Sequence, residues 1–231
     1  MAGRKFRVAG IGAVAAAGAC VMLSACSSVQ MGAAAIVGNQ RITQSALDTQ
    51  VSNLKQAASG SQGQVQLTAA QMPQAVLGWL IKFSIEDRAA AAAGISVSQS
   101  QIQQGTADIE QQAGQYASQQ GGGGSAQAIL LSSGISPQML PDLGKYQAQE
   151  LALAARANGG KLPTTTAQDN AVTAALTKSS CQAAKSLNIK VNPQFGRLDY
   201  TQFSVVPTSD TLSRTPGKPS PAPTSGRTPA C

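Results

Sequence analysis

One helix-forming segment, residues 68–93, constrains the fold of this chain more than any other feature. Thr68 and Gln71 have capping-box spacing at its start, and Gly94 gives a stop signal. Its middle holds the apolar residues Val76, Leu77, Trp79, Leu80, Ile81, Phe83 and Ile85. Because these side chains cover almost every side of a helix, the sequence predicts a buried helix at the centre of the domain.

Amphipathic helices are predicted on both sides of this central helix. Their expected limits are residues 44–58, 99–118, 125–133, 137–158 and 167–187. Apolar residues recur in them at intervals of three or four positions, as on one face of a helix. Tyr116 and Leu151 are among the side chains expected to face the core. The predicted fold class is therefore mainly α, with a single helical domain.

Short extended segments are expected at both ends of the helical region. Residues 33–37 are an apolar run, and a Gly38-Asn39 turn separates them from a second predicted strand at 40–42. After the last helix, residues 188–191 are expected to be extended and residues 197–206 to form one loose strand. The predicted domain therefore spans residues 33–206.

Residues 1–25 are typical of a secretory signal peptide. Arg4, Lys5 and Arg7 precede an uncharged run from residue 8 to residue 25. The alternative is a retained transmembrane anchor. The uncharged run is near the lower length limit for spanning a bilayer, and it contains three glycines, which weaken a helix. These properties favour a signal peptide that is removed.

The end of this leader, Leu23-Ser24-Ala25-Cys26, resembles a bacterial lipobox. The resemblance implies that Cys26 becomes the first residue of the mature protein and carries a diacylglycerol on its sulfur. Two acyl chains suffice for stable anchoring. Residues 26–32 would then be a short tether. The protein would lie on the extracytoplasmic face of the cell membrane, or in the outer membrane if the cell has one. The alternative is an ordinary signal peptide with an incidental cysteine.

Composition argues against several functional classes. The net charge of +7 includes three cations of the leader and three of the C-terminal tail, so the body is close to neutral and nucleic acid is not an expected partner. The chain has no histidine, which is the commonest metal ligand and general base. No metal-binding or cofactor motif is recognised, and Gly121–Gly124 reads as a loop. We therefore expect no enzyme activity, metal or cofactor.

The C-terminal segment, residues 207–231, is rich in Pro, Ser and Thr and is expected to be disordered. A helical wheel places Cys181 about 150° from the apolar arc of the last helix, so its thiol is expected to face outward. Cys231 is the other remaining cysteine of the mature chain. A disulfide between Cys181 and Cys231 is predicted, and the alternative is two free or intermolecularly paired thiols.

Three segments resemble the SurA/PrsA-type extracytoplasmic chaperone module. They are residues 35–43 followed by Leu47, residues 94–98, and residues 187–196, with the sequences AIVGNQRIT, GISVS and LNIKVNPQFG. The resemblance covers residues 33–206. It implies that the first strand lies near residues 189–198, and that the helices starting near Gln44 and Ala167 are neighbours.

Full members of that family often carry a parvulin prolyl isomerase before the last helix. Here only residues 159–166 occupy that place, so the resemblance implies the helical module without the isomerase. It also implies a cleft for extended peptides. The expected lining residues are Met72, Trp79, Phe83, Met139 and Leu143. Methionine and aromatic side chains adapt to varied partners, although the same residue types are also common in cores.

The resulting hypothesis is a lipid-anchored, chaperone-like protein that binds unfolded or extended segments of secreted proteins without ATP or isomerase activity. The alternative is a structural or interaction lipoprotein that holds one specific partner in the cell envelope. The two hypotheses differ in how many proteins are bound. A chaperone suppresses aggregation of several unrelated clients, whereas the alternative protein holds one stoichiometric partner.

Overall fold

The computed structural model describes residues 32–61, 65–119, 124–208 and 231. The predicted signal peptide, the lipidation site Cys26, and almost all of the predicted tether and tail lie outside these residues.

Helices dominate the described part of the chain. They are α1 Gln44–Ser59, α2 Met72–Ala92, α3 Gln99–Gln119, α4 Ala126–Ser132, α5 Leu140–Ala157 and α6 Thr166–Leu187, with a 3-10 turn at Pro137–Met139. The strands are β1 Ala33–Val37, β2 Gln40–Thr43, β3 Lys190–Val191, β4 Arg197–Asp199 and β5 Ser204–Val206. The predicted mainly α fold, with short strands from both ends of the domain, is confirmed.

Side-chain caps fix where most of the helices begin. The Thr43 hydroxyl accepts a hydrogen bond from the Ala46 amide at 3.1 Å, at the start of α1. At the capping-box spacing before α2, however, the Thr68 hydroxyl donates to Gln71 Oε1 at 2.8 Å. The Gln71 amide donates to the Thr68 carbonyl oxygen at 3.0 Å and not to the hydroxyl, and α2 begins at Met72, later than the sequence predicts.

The central helix α2 contributes much of the core. Val76, Leu77, Ile81 and Ile85 are almost completely buried. Helices α1, α5 and α6 and strands β1 and β5 pack against α2. Trp79, Leu80 and Phe83 are only partly buried, so one side of the helix is less enclosed than the sequence predicts.

The two ends of the domain meet in one small sheet. Strand β1 lies between β2 and β3, antiparallel to both, with Ala35 opposite Val191. Beyond β3, Asn192 donates from its amide to Ala34 O at 2.9 Å and from its side chain to Ala33 O at 3.1 Å. The predicted proximity of residues 33–37 and 189–198 is confirmed.

Two other expectations about the ends of the domain are wrong. Helices α1 and α6 do not pack along each other. Each of them packs on α2 instead. Residues 197–206 form a hairpin of β4 and β5, with Arg197 opposite Val206, and not one strand. The Thr201 amide donates to Asp199 Oδ1 at 2.8 Å, and this bond helps to close the turn between the strands.

Helices α3 and α5 approach each other through small residues. Gly105, Ala113 and Ala117 are the buried residues of α3. Tyr116 is 53% exposed and Leu151 is 37% exposed, so the prediction that both face the core is wrong. Glycine at position 105 allows the two backbones to approach closely, while Leu151 lines an open apolar pocket between the two helices.

Candidate functional site

The described surface carries a mainly apolar groove between α3, α4 and the chain leading into α5. Its volume is about 450 Å³. We call it the α4 groove. Its lining consists of Glu110, Ala126, Gln127, Leu130, Leu131, Ile135, Ser136, Pro137 and Leu140.

The groove exists because the chain reverses sharply after α4. The Ser125 hydroxyl accepts from the Ala128 amide at 3.1 Å and starts this short helix. Gly134 then adopts a positive φ of 85°, and a Cβ there would lie 2.7 Å from Ala75 Cβ. The Trp79 indole nitrogen donates to Ser133 O at 2.8 Å and holds this reversal against α2. The groove wall is therefore fixed to the central helix.

The floor of the groove is apolar and its polar groups are few. Leu131 and Ile135 are buried below it, and Leu130 and Leu140 are partly exposed along it. The buried Ser136 hydroxyl contacts Gln50 Oε1 at 3.4 Å, while Glu110 is exposed at the rim. Such a surface suits apolar side chains of a ligand and contributes little polar specificity.

The five residues proposed from sequence as a peptide-binding lining do not line this groove. Met72, Met139 and Leu143 are buried in the hydrophobic core. Trp79 and Phe83 are partly buried on another face of α2. The residue types suggested these five, whereas the groove is formed by ordinary aliphatic residues. The apolar residues of α4 were visible in the sequence, but the reversal that exposes them was not.

Trp79 and Phe83 instead form an aromatic cluster with Tyr146. The ring centroids are 5.8 Å apart for Trp79 and Phe83, and 6.1 Å apart for each pair with Tyr146. Lys82 Nζ lies 4.6 Å from the centroid of the Trp79 ring, and burial lowers the pKa of Lys82. The cluster joins α2 to α5 and extends from the reversal after α4 towards an acidic pocket.

This acidic pocket lies between α2, α5, α6 and the segment joining β4 to β5. It has a volume of about 200 Å³ and is lined by Glu86, Tyr146, Glu150, Thr173, Leu176, Thr177, Ser180 and Phe203. Burial, with smaller contributions from Glu150 and Asp87, raises the pKa of Glu86 to about 7. Burial also raises the pKa values of Glu150 and Tyr146. This pocket was not predicted from the sequence, in which Glu86 directly follows the apolar residue Ile85 and begins a charged run with Asp87 and Arg88.

The structure joins Cys181 and Cys231 by a disulfide, with their Cα atoms 5.2 Å apart. Cys181 is only 5% exposed, so the expectation that it faces outward is wrong. The helical wheel counted only apolar residues. It could not include the covalent contact with Cys231, which covers part of the Cys181 side chain.

The described residues were also compared with the requirements for a metal site and for a membrane-spanning helix. Among them, no group of three or more His, Cys, Asp and Glu residues is arranged to hold a metal ion. None of the helices described is both long and apolar enough to cross a bilayer.

Comparison with known proteins gives one family. The SurA-like N-terminal domain family matches residues 7–152, which is more than half of the chain. The match ends within α5, so α6 and the strands that follow lie outside it. No curated protein and no solved structure matches the chain. On the extent of this match, the chain belongs to the family of SurA-like N-terminal domains.

Proposed function

We propose that this protein is a lipid-anchored, chaperone-like component of the extracytoplasmic face of the cell membrane. It binds extended apolar segments of secreted proteins in the α4 groove, without ATP and without isomerase or other enzymatic activity. The observation that carries this proposal is the groove itself, whose wall and floor are formed by Leu130, Leu131, Ile135 and Leu140.

The shape and chemistry of the groove support an extended apolar ligand. Its volume of about 450 Å³ lies within the range of ligand sites in proteins. Aliphatic walls with few polar groups accept many side chains, because they impose little hydrogen-bond geometry. Membership of the SurA-like family agrees with a chaperone-like role.

The proposed anchor is the diacylglycerol on Cys26. The sequence basis is the leader, in which cationic residues precede an uncharged run that ends in small residues at Ala25. Only residues 27–32 separate Cys26 from β1, so the helical domain would lie close to the membrane surface. This position would let it meet polypeptides as they emerge from the membrane.

The test of binding uses the soluble chain from Ser27 to Cys231 and a set of unrelated apolar peptides. The chain contains one tryptophan, and Trp79 bonds to the reversal beside the groove, so its fluorescence reports peptide titrations. Ala126 lies at the groove and is partly exposed, so Ala126→Phe should fill the groove without removing a core contact. We expect this variant to weaken peptide binding about tenfold or more.

The matched control is Leu162→Gln. Leu162 is 50% exposed and lies on a separate apolar surface between α3 and α5. This variant should bind peptides as the parent does. Equal loss in both variants, or no loss in Ala126→Phe, would reject the α4 groove as the site. Capture of one stoichiometric partner, without aggregation suppression for several clients, would support the alternative of an envelope protein with a fixed partner.

A further inference from the structure

Glu86 is a buried carboxylate without a partner. It is only 5% exposed. Among the described residues, no group donates a hydrogen bond to it or forms a salt bridge with it. Burying an unpaired charge is costly, and proteins normally pair such groups. This one is therefore an exception that needs an explanation.

The adjacent carboxylate, Asp87, is paired in the usual way. Lys145 Nζ lies 2.6 Å from Asp87 Oδ1, and the Gln149 side chain donates to the same oxygen at 2.8 Å. Lys82, one turn before Glu86, lies over the Trp79 ring. Lys82 and Lys145 are thus engaged elsewhere, and Glu86 faces the pocket.

The Glu86 carboxylate opens into the acidic pocket. The described residues include no side-chain oxygen or nitrogen that is both fully enclosed and unpaired. The oxygens of Glu86 therefore keep access to the space that the residue lines. From α5, Glu150 and Tyr146 line the same space. The residues of α6 that line it, Thr173, Leu176, Thr177 and Ser180, are all uncharged.

We propose that the acidic pocket binds the guanidinium group of an arginine side chain in a bound polypeptide. This assignment rests on the proposed peptide-binding function. Glu86 and Glu150 would accept charge-assisted hydrogen bonds from the guanidinium. The planar group stacks well on aromatic rings, which Tyr146 and Phe203 supply, and Leu176 would cover the apolar stem.

The donor set favours an organic cation over a metal ion. Calcium takes six to eight oxygen ligands, commonly with several carboxylates. The pocket offers the carboxylates of Glu86 and Glu150 only, and its volume of about 200 Å³ has room for a side chain.

The test compares N-acetyl-arginine amide with N-acetyl-citrulline amide, which has nearly the same shape and no charge. The full chain is purified from the envelope fraction in a neutral maltoside detergent. Binding is followed by calorimetry at about pH 8, where Glu86 is mainly ionised. We expect arginine to bind at least about tenfold more tightly than citrulline. Glu86→Gln and Glu150→Gln should each abolish this difference.

The control variant is Asp48→Asn, on the exposed face of α1, which should keep the preference for arginine. Equal binding of the two amides by the parent chain, or an unchanged preference in Glu86→Gln, would overturn the proposal. Loss of peptide binding to the α4 groove with the arginine preference intact would reject the proposed function alone.

An arginine of this chain is a second source of the same group. Phe203 and Ser180 both line the pocket, and Arg214 and Arg227 lie in the sequence between Phe203 and Cys231, which bonds to Cys181. Tighter binding of the arginine amide to the Arg214→Gln/Arg227→Gln chain would assign the site to an arginine of the same chain. Unchanged affinity would assign the site to a polypeptide partner.

Discussion

Gly105 and Gly144 meet where α3 crosses α5. A Cβ at Gly105 would lie 2.5 Å from the Gly144 carbonyl oxygen, and a Cβ at Gly144 would lie 2.6 Å from Ile102 O. Real Cβ atoms do not approach backbone oxygens so closely. This contact therefore requires glycine at both positions, although glycine weakens a helix interior.

We expect Gly105→Ala and Gly144→Ala each to lower the free energy of unfolding by about 1–3 kcal/mol, because overpacking forces the helices apart. Urea titration followed by circular dichroism measures this change. The matched control is Gly114→Ala, also on α3, where the nearest atom to the new Cβ is Ala126 Cβ at 3.9 Å. That substitution should instead stabilise the protein by about 0.5–1 kcal/mol. Equal effects at Gly105 and Gly114 would contradict the close packing.

The free energy of unfolding should depend on pH through the titration of Glu86. Its pKa is about 7 in the folded protein and has an ordinary value of 4.5 when exposed. The folded state therefore binds the proton more tightly, and this contribution is complete below pH 4.5. As pH rises from about 4.5 to above 7, the free energy of unfolding should fall by roughly 3 kcal/mol.

Glu86→Gln should remove most of that dependence. The variant should unfold at higher urea concentration than the parent at about pH 8 and should resemble it near pH 4.5. Asp48→Asn, which changes an exposed carboxylate, should keep the parental profile. A parental pH profile in Glu86→Gln would show that another group causes the dependence.

The disulfide predicts a single pattern of thiol reactivity. In protein taken from the envelope under non-reducing conditions, peptide mapping should recover Cys181 and Cys231 in one linked pair. Reduction should make both thiols available to alkylation after denaturation. In Cys181→Ser, Cys231 should be alkylated without a reductant. Alkylation of both thiols in the unreduced parent would refute the bond.

The lipid anchor depends on one atom, the Cys26 sulfur. Cys26→Ala should abolish incorporation of labelled palmitate and release the protein from the membrane fraction, because the acyl chains supply the anchoring energy. Cys20→Ala should stay lipidated, since Val21-Met22-Leu23 after it is still apolar. Wild-type protein that retains an intact leader would disprove the lipobox interpretation.

Local sequence signals predicted most elements of this fold because their causes are local. Thr43, Ser125 and Thr165 cap helices through side-chain oxygens only three residues from the amides that they bind. The strand at residues 33–37 and its turn were likewise evident. Pairing of β1 with β3 was expected only through the family resemblance, because residues so far apart leave no periodic signal.

The candidate sites depend on contacts that sequence periodicity does not encode. The aliphatic residues of α4 resemble core residues in the sequence, and only the reversal at Gly134 leaves part of them open as a groove. Glu86 resembles a surface residue, and only the packing of α5 and α6 around it makes it a buried, unpaired carboxylate.

The sequence by itself determined the order of helices, their caps and the central apolar helix, because each follows from neighbours within a few residues. The tertiary structure decided which faces met. Gly105 and Gly144 brought α3 and α5 together, Tyr116 and Leu151 remained exposed, and the bond to Cys231 covered part of Cys181. Burial is a property of the whole packed domain, since a side chain is covered by residues distant in sequence.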